Sequence, residues 1–313
     1  GIVIPGLDPA QDYVIQGLAY YPARDWMLVT AYHNDGTASS KVFALDASTG
    51  NFVAMFSFKN PDGTTNTDHG GGIAISEHNI YYSCGDKDRY IAYAPLSALA
   101  NAPEGQHTVI QLVDKAEFVE IGSVSNGDKT AYSAYVCYDQ GVLWMGNFYD
   151  AGADLIGITI AAADYNAPAN NSYNSMVFGY KLSGNDSASE WANLISGAAD
   201  CKGKPSYAIG LNNTLKDVQY AVVDNGKLYL SRSYGSGAGN SINFGFGETS
   251  YLTVADIDLS VPGDTPVKIS TQNTDSLDKT VMAYDISSYK DYPMMPMSEG
   301  LCVIGGDLFI TFE

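Results

Sequence analysis

The residues able to do chemistry are few and unevenly placed. The 313 residues hold four histidines and four cysteines, and 35 Asp and Glu stand against only 16 Lys and Arg. His69 lies in the run Asp68-His69-Gly70-Gly71-Gly72, at the head of an apolar stretch. Gln16, Gln219 and Glu299 stand just before similar stretches, Asp217 two places before Gln219, and Arg232 just after one. Two carboxylates such as Glu299 and Asp217 can serve as general acid and base, since repulsion at close range raises one pKa. An imidazole such as His69 can carry a proton or steady charge near neutral pH. Arg232 can grip a carboxylate with two parallel N–H groups, or pair structurally with Asp217 or Glu299. Glu299, Asp217 and His69 are thus the candidate catalytic residues.

Other signals are weaker. Three glycines after His69 permit positive φ or a close backbone approach, which suits a ligand pressed on the main chain; the plain alternative is a flexible turn. They are no nucleotide loop, because no Lys-Ser/Thr follows. His33, His78 and His107 fall in loops, turns or strand ends. The loop Asn60-Pro61-Asp62-Gly63-Thr64-Thr65-Asn66-Thr67-Asp68 carries oxygen side chains at alternate positions. Calcium takes such ligands near Asp62, Asn66 and Asp68, but the bidentate Glu of a calcium-binding helix-loop-helix is missing. Otherwise no cofactor or metal is implied. Cys84, Cys137, Cys201 and Cys302 show no CxxC spacing, and read as buried thiols plus one loop cysteine. No Gly-x-Ser-x-Gly elbow or His-Glu-x-x-His pair occurs.

A net charge of −19 and the lack of a Lys/Arg cluster exclude a free-standing nucleic-acid binder and disfavour an anionic membrane surface. No apolar run reaches the 18 residues of a membrane-spanning helix. Low Lys with much Tyr, Asn, Ser and Gly fits an extracellular, secreted protein. The chain opens at Gly1 without Met, so the lack of a leader says nothing about export. Hydrophobic residues are 45% and charged residues 16%, and a chain of this length buries roughly three-quarters of its unfolded surface. The core needs no disulfides.

The elements that position these residues come from a repeat. A short apolar strand, a tight turn and a second apolar strand recur at Gly17–Thr30, Gly72–Ser83, Tyr135–Gly146, Tyr220–Ser231 and Gly300–Thr311. Asp139-Gln140-Gly141, Asp224-Asn225-Gly226 and Gly305-Gly306-Asp307 are hairpin turn signals. Further strands are expected at Lys41–Leu45, Asn51–Phe58, Tyr90–Ala94, Thr108–Val113, Met176–Leu182, Ser206–Leu211, Tyr251–Leu259 and Val267–Ile269, with Val281–Ile286 a spare. Ser97–Ala100 and Glu190–Ile195 can form short helices. Four strands per repeat, arranged radially, make an all-β five-bladed β-propeller over residues 1–313 as one domain. Copies spaced 55, 63, 85 and 80 residues apart suit blades with loop insertions better than a solenoid. The last copy has two strands only. Ile2–Ile4 would close blade five, or the natural chain runs on past Glu313.

In a propeller the first strand of each blade lines the central channel, and its start meets the end of strand two at one rim. That rim gathers Gln16, His69, Tyr132, Asp217, Gln219 and Glu299 with Tyr32, Asn147, Arg232 and Glu313. Gln16, Tyr32, Tyr132, Asn147, Gln219, Arg232 and Glu313 are the candidate ligand-binding residues. Phe148–Tyr173 and Tyr234–Tyr251, rich in Tyr, Asn, Ser and Gly, could hold a partner instead.

Gln16-Gly17-Leu18-Ala19-Tyr20-Tyr21, His69-Gly70-Gly71-Gly72-Ile73-Ala74 and Ser298-Glu299-Gly300-Leu301 resemble segments of uncharacterised secreted bacterial five-bladed propellers, over most of the chain. The Gln-Gly-Leu opening and the Asp46-x-x-Thr49-Gly50 turn after Lys41–Leu45 also resemble glutamine cyclotransferase propellers over the first 90 residues. That family has a carboxylate where Gly71 stands, and its Asn-Glu-Leu-Glu-like segment has no match at Tyr132–Tyr135. The resemblance implies a channel role for Gln16. The expected function is binding of a small molecule, a glycan or a peptide end, at the channel rim by a monomer. The alternatives are a non-catalytic module that binds through its loops, and a glutaminyl cyclotransferase-like enzyme.

Overall fold

The computed structural model describes residues 12–84, 90–118, 134–146, 173–195, 205–212, 215, 217–233, 249–269 and 279–312. The fold is all-β, with sheets arranged as in a β-propeller. Strands β1 (Tyr13–Tyr21), β2 (Trp26–His33), β3 (Lys41–Asp46) and β4 (Phe52–Lys59) form the first blade as an antiparallel meander. Strands β5 (Gly70–Ile75), β6 (Asn79–Cys84) and β7 (Tyr90–Pro95) begin the second. After helix α1 (Ser97–Ala100) the chain returns to blade one, where β8 (His107–Gln111) lies parallel to β4. Only then does β9 (Asp114–Ala116) complete blade two against β7.

Blade three holds β10 (Tyr135–Asp139), β11 (Val142–Gly146) and β12 (Tyr173–Lys181), then helix α2 (Ser187–Ile195) and β13 (Tyr207–Asn212). Blade four begins with β14 (Val218–Asp224), β15 (Lys227–Arg232) and β16 (Ser250–Asp256). Strands β17 (Thr265–Ile269) and β18 (Lys279–Asp285) cross back to blade three, β18 pairing parallel with β13. Strand β19 (Lys290–Met294) completes blade four. The last repeat, β20 (Ser298–Ile304) and β21 (Asp307–Phe312), is a two-stranded sheet.

Four sheets of four to six strands are thus full blades, which corrects the expectation of five. The spare strand Val281–Ile286 is used by blade three, and β19 by blade four, so among the described residues the last hairpin has no outer strands. Thr108–Val113 and Val267–Ile269 likewise serve the blade before the one that precedes them in sequence. The closing strand Ile2–Ile4 lies outside the described residues. The inner strands pack in the order β1, β5, β10, β14, β20 and back to β1. The hairpin thereby joins blade four to blade one.

The turn chemistry follows the sequence. Gln140-Gly141, Asn225-Gly226 and Gly305-Gly306 all have positive φ at both central positions, as a two-residue hairpin requires. The cores lie between neighbouring sheets. Ala19, Leu28, Phe56, Ile73, Tyr82 and Ile91's neighbour Ala92 fill the space between blades one and two. Cys137 and Cys302 are buried free thiols, and Cys84 is buried between the first two blades. Cys201 lies outside the described residues. Helix α2 docks through Trp191, which stacks on Tyr93 at 4.6 Å, and through buried Glu190, which accepts from Ser76 Oγ (2.5 Å), Asn79 Nδ2 (3.0 Å) and Tyr81 Oη (2.8 Å). Among the described residues no helix is long and apolar enough to cross a membrane.

Candidate functional site

Four of the five inner strands break register at the same rim. The shifts fall between Ile15 and Leu18, Gly70 and Gly72, Val218 and Tyr220, and Ser298 and Leu301. The residues caught in these bulges are Gln16, Gly71, Gln219 and Glu299, those that immediately precede the repeats. A bulge leaves a residue unpaired and re-aims its side chain, so the fold takes these positions out of the ladder. Hydroxyls from the second strands hold two bulges in place. Gly17 N–H donates to Thr30 Oγ1 at 2.7 Å. Gly300 N–H donates to Thr311 Oγ1 at 2.8 Å, and Thr311 Oγ1 donates to Gln16 O at 3.2 Å.

The glycines after His69 have a different role from the one expected. Gly70, Gly71 and Gly72 are buried strand residues without positive φ. A methyl on Gly71 would collide with Ala134 O, one on Gly72 would sit 2.7 Å from Val136 N, and one on Gly17 2.6 Å from Gly72 Cα. The inner strands pass too closely for side chains at these points. The run therefore serves contact between blades, and is neither a ligand cradle nor a flexible turn.

Three predicted residues meet at one place. The His69 ring stacks on Tyr32, with centroids 3.6 Å apart and planes at 23°. His69 Nε2 lies 3.4 Å from Gln16 Oε1. Gln16 Nε2 donates to Ile15 O at 2.7 Å, which turns its amide oxygen toward the imidazole. Glu299, 3% exposed, is next in sequence to Gly300, which packs on the backbone of Gln16, Gly17 and Leu18. A buried carboxylate on β20 and a held imidazole at the head of β5 thus lie on either side of β1.

The remaining described candidates belong to blade four. Asp217 is buried, with φ 63°, a left-handed conformation that Asp tolerates better than most residues, and its carbonyl accepts Ser233 N–H at 2.9 Å. Gln219 Nε2 donates to Ser233 O at 3.4 Å. Arg232 Nη1 donates to Thr253 Oγ1 at 3.0 Å and Asp291 Oδ1 at 3.2 Å, which ties β15 to the outer strands β16 and β19. Its partner there is Asp291, which the sequence did not single out. Tyr132, Asn147 and Glu313, and most of the loops Phe148–Tyr173 and Tyr234–Tyr251, lie outside the described residues.

In the loop considered for calcium, Asp62 Oδ1 accepts Thr64 N–H (2.9 Å) and Oγ1–H (2.6 Å). Asn66 Nδ2 donates to Tyr90 Oη (2.8 Å), and Tyr90 donates to Asp68. These are the bonds of an Asx-type turn. His33 bonds Asp35 (2.5 Å) and His107 bonds Ser57 (2.9 Å). Among the described residues no three His, Cys, Asp or Glu side chains are grouped to hold a metal.

The sequence reading missed Tyr220. It is buried, and its hydroxyl donates to Val136 O and lies 3.2 Å from Ile73 O and 3.4 Å from Leu18 O. Those carbonyls belong to β10, β5 and β1, so one phenol reaches across the ring from β14. Burial raises its pKa well above the ordinary value. The signal was a Tyr at the repeat position where three other copies have Gly17, Gly72 and Gly300.

No family model matches the chain, and no curated protein matches it. Among solved structures it is similar to the glutaminyl cyclase of Myxococcus xanthus, at 11% identity and a TM-score of 0.44 over 97% of this chain and 87% of that one. It is also similar to BamB from Moraxella catarrhalis, at 9% identity and a TM-score of 0.35 over 96% of this chain and 80% of that one.

Proposed function

We propose that the protein is a secreted, single-domain, monomeric β-propeller, like the bacterial propellers its repeat-leading motifs resemble, which binds a small polar ligand at the bulged rim. In this reading the β20–β21 hairpin closes the ring between blade four and blade one. The observation that carries the site is the meeting of His69, Tyr32 and Gln16 at a bulge, with buried Glu299 on the adjacent inner strand. A sugar hydroxyl or the ammonium of a peptide end would give its proton to Glu299. The Gln16 amide and the His69 imidazole would orient the rest, and Gln219 would close the far side. If the ligand is turned over, Glu299 or Asp217 acts as general acid/base and His69 steadies charge.

The test is calorimetry with a panel of neutral oligosaccharides and short peptides, some with N-terminal glutamine, on the wild type and on Glu299→Ala/Asp217→Ala. The reading expects a binder whose affinity falls at least about tenfold in the double variant, as for loss of a hydrogen bond to a charged group. Unchanged affinity and turnover in the double variant would move the site to the Tyr- and Asn-rich loops. Ammonia loss from the glutamine peptides, read by mass, would make the rim a cyclotransferase site.

A further inference from the structure

The inner strands end at a second mouth, on the other side of Tyr220 from the bulged rim. A cavity of about 380 Å³ opens there. Every inner strand contributes to its wall: Leu18 from β1, Ile73 from β5, Cys137 from β10, Val222 from β14 and Leu301 from β20. The size lies in the range of small-molecule sites, and an apolar wall with few polar groups is their usual make-up. Among the polar groups on this wall is Asp139, at the end of β10. Its Oδ2 is buried without a hydrogen-bond partner.

The surroundings of Asp139 are one-sided in charge. Gln140, at φ 45°, donates from Nε2 to Asp224 Oδ1, the equivalent carboxylate of the next blade, at 2.7 Å, and its side chain also partly offsets the rise in the Asp139 pKa. Glu77, from the β5–β6 turn, also lines the mouth. The other titratable groups on the wall are Tyr20, Tyr21, Tyr138, Cys137 and Cys302, and no Lys or Arg lines it. Burial, then the charge on Asp224, pushes the Asp139 carboxyl up to about 6. At neutral pH this is a carboxylate with a like charge nearby and apolar surface around it.

We propose that this second mouth binds a small amphipathic cation, with its ammonium head on Asp139 and its apolar body against Leu18, Ile73, Val222 and Leu301. An ammonium beside Asp139 would offset the repulsion between Asp139 and Asp224 and gain a charge-assisted contact with the carboxylate. The site is independent of the bulged rim, since Tyr220 lies between the two.

Phenethylammonium tests the proposal by calorimetry at pH 7.5, beside its neutral analogue phenethyl alcohol and the anion 3-phenylpropanoate. The full chain is used, with Asp139→Asn and with Ala23→Trp, an exposed wall position where a large ring would obstruct the mouth. The expected result is binding of the cation, at least about tenfold weaker in Asp139→Asn. Binding also weakens as pH falls from 7.5 to 5 and is lost in Ala23→Trp, while both variants keep the wild-type circular dichroism. No binding of the cation at millimolar concentration, equal binding of the anion, or unchanged affinity in folded Asp139→Asn would overturn it.

Discussion

Replacing Tyr220 by Phe removes one oxygen from the middle of the ring and keeps the aromatic body, so no large cavity opens. The hydroxyl has one proton and donates it to Val136 O, with Ile73 O at 3.2 Å and Leu18 O at 3.4 Å. Loss of one buried bond that leaves an unsatisfied carbonyl costs about 1–3 kcal/mol. Unfolding entropy of about 2.1 cal/mol/K per residue over this length converts that to a melting-temperature drop of about 1.5–5 °C. Differential scanning calorimetry at matched pH reads the shift, and urea melts read the same loss as a lower midpoint at constant slope. Tyr220→Ala adds a cavity at the junction of three inner strands and costs about 3–5 kcal/mol. An unchanged or raised melting temperature in Tyr220→Phe would refute the placement of the phenol across the ring.

Gly71→Ala forces β5 and β10 apart at Ala134, and about 1–3 kcal/mol or more of stability is lost in urea unfolding. Glu190→Ala strands the donors of Ser76, Asn79 and Tyr81 beneath α2; it lowers the unfolding free energy read from urea melts by about 3 kcal/mol or more, and Glu190→Gln by less. Asp139 has its folded pKa raised to about 6 from 3.8, so the folded state holds the proton more tightly and stability falls as pH rises from about 4 to 6. Asp139→Asn removes that loss: the variant gains about 1 kcal/mol over wild type at pH 7, after allowance for solvent screening, and nothing below pH 4. Thermal melts at both pH values check it.

Much of the ring was legible in the chain. The five copies of the repeat became the five inner hairpins, and their turn residues adopted the positive φ that their types foretold. What the sequence hid was non-local. Strands β8 and β18 join the edge of a neighbouring sheet in parallel, and such pairing leaves no turn signal beside the strand. From sequence, Thr108–Val113 and Val267–Ile269 are therefore assigned to the wrong blades, and Val281–Ile286 has no blade at all. At the rim, the position before a repeat places Gln16, Gln219 and Glu299 at register breaks, which four of the five inner hairpins share. The role of Arg232 was not legible, since its partner Asp291 is 59 residues away on β19. The purpose of Gly70, Gly71 and Gly72 was hidden for a like reason: the constraint is the neighbouring strand, not the local turn.

The central claim places ligand at the bulged rim. A crystal structure with the tightest-binding saccharide or peptide of the panel tests it most directly. The account predicts ligand oxygen or nitrogen atoms within hydrogen-bond distance of Glu299 and His69, with Gln16 in contact. A ligand seated away from all three, on the outer faces of the blades or on the loops, would contradict it.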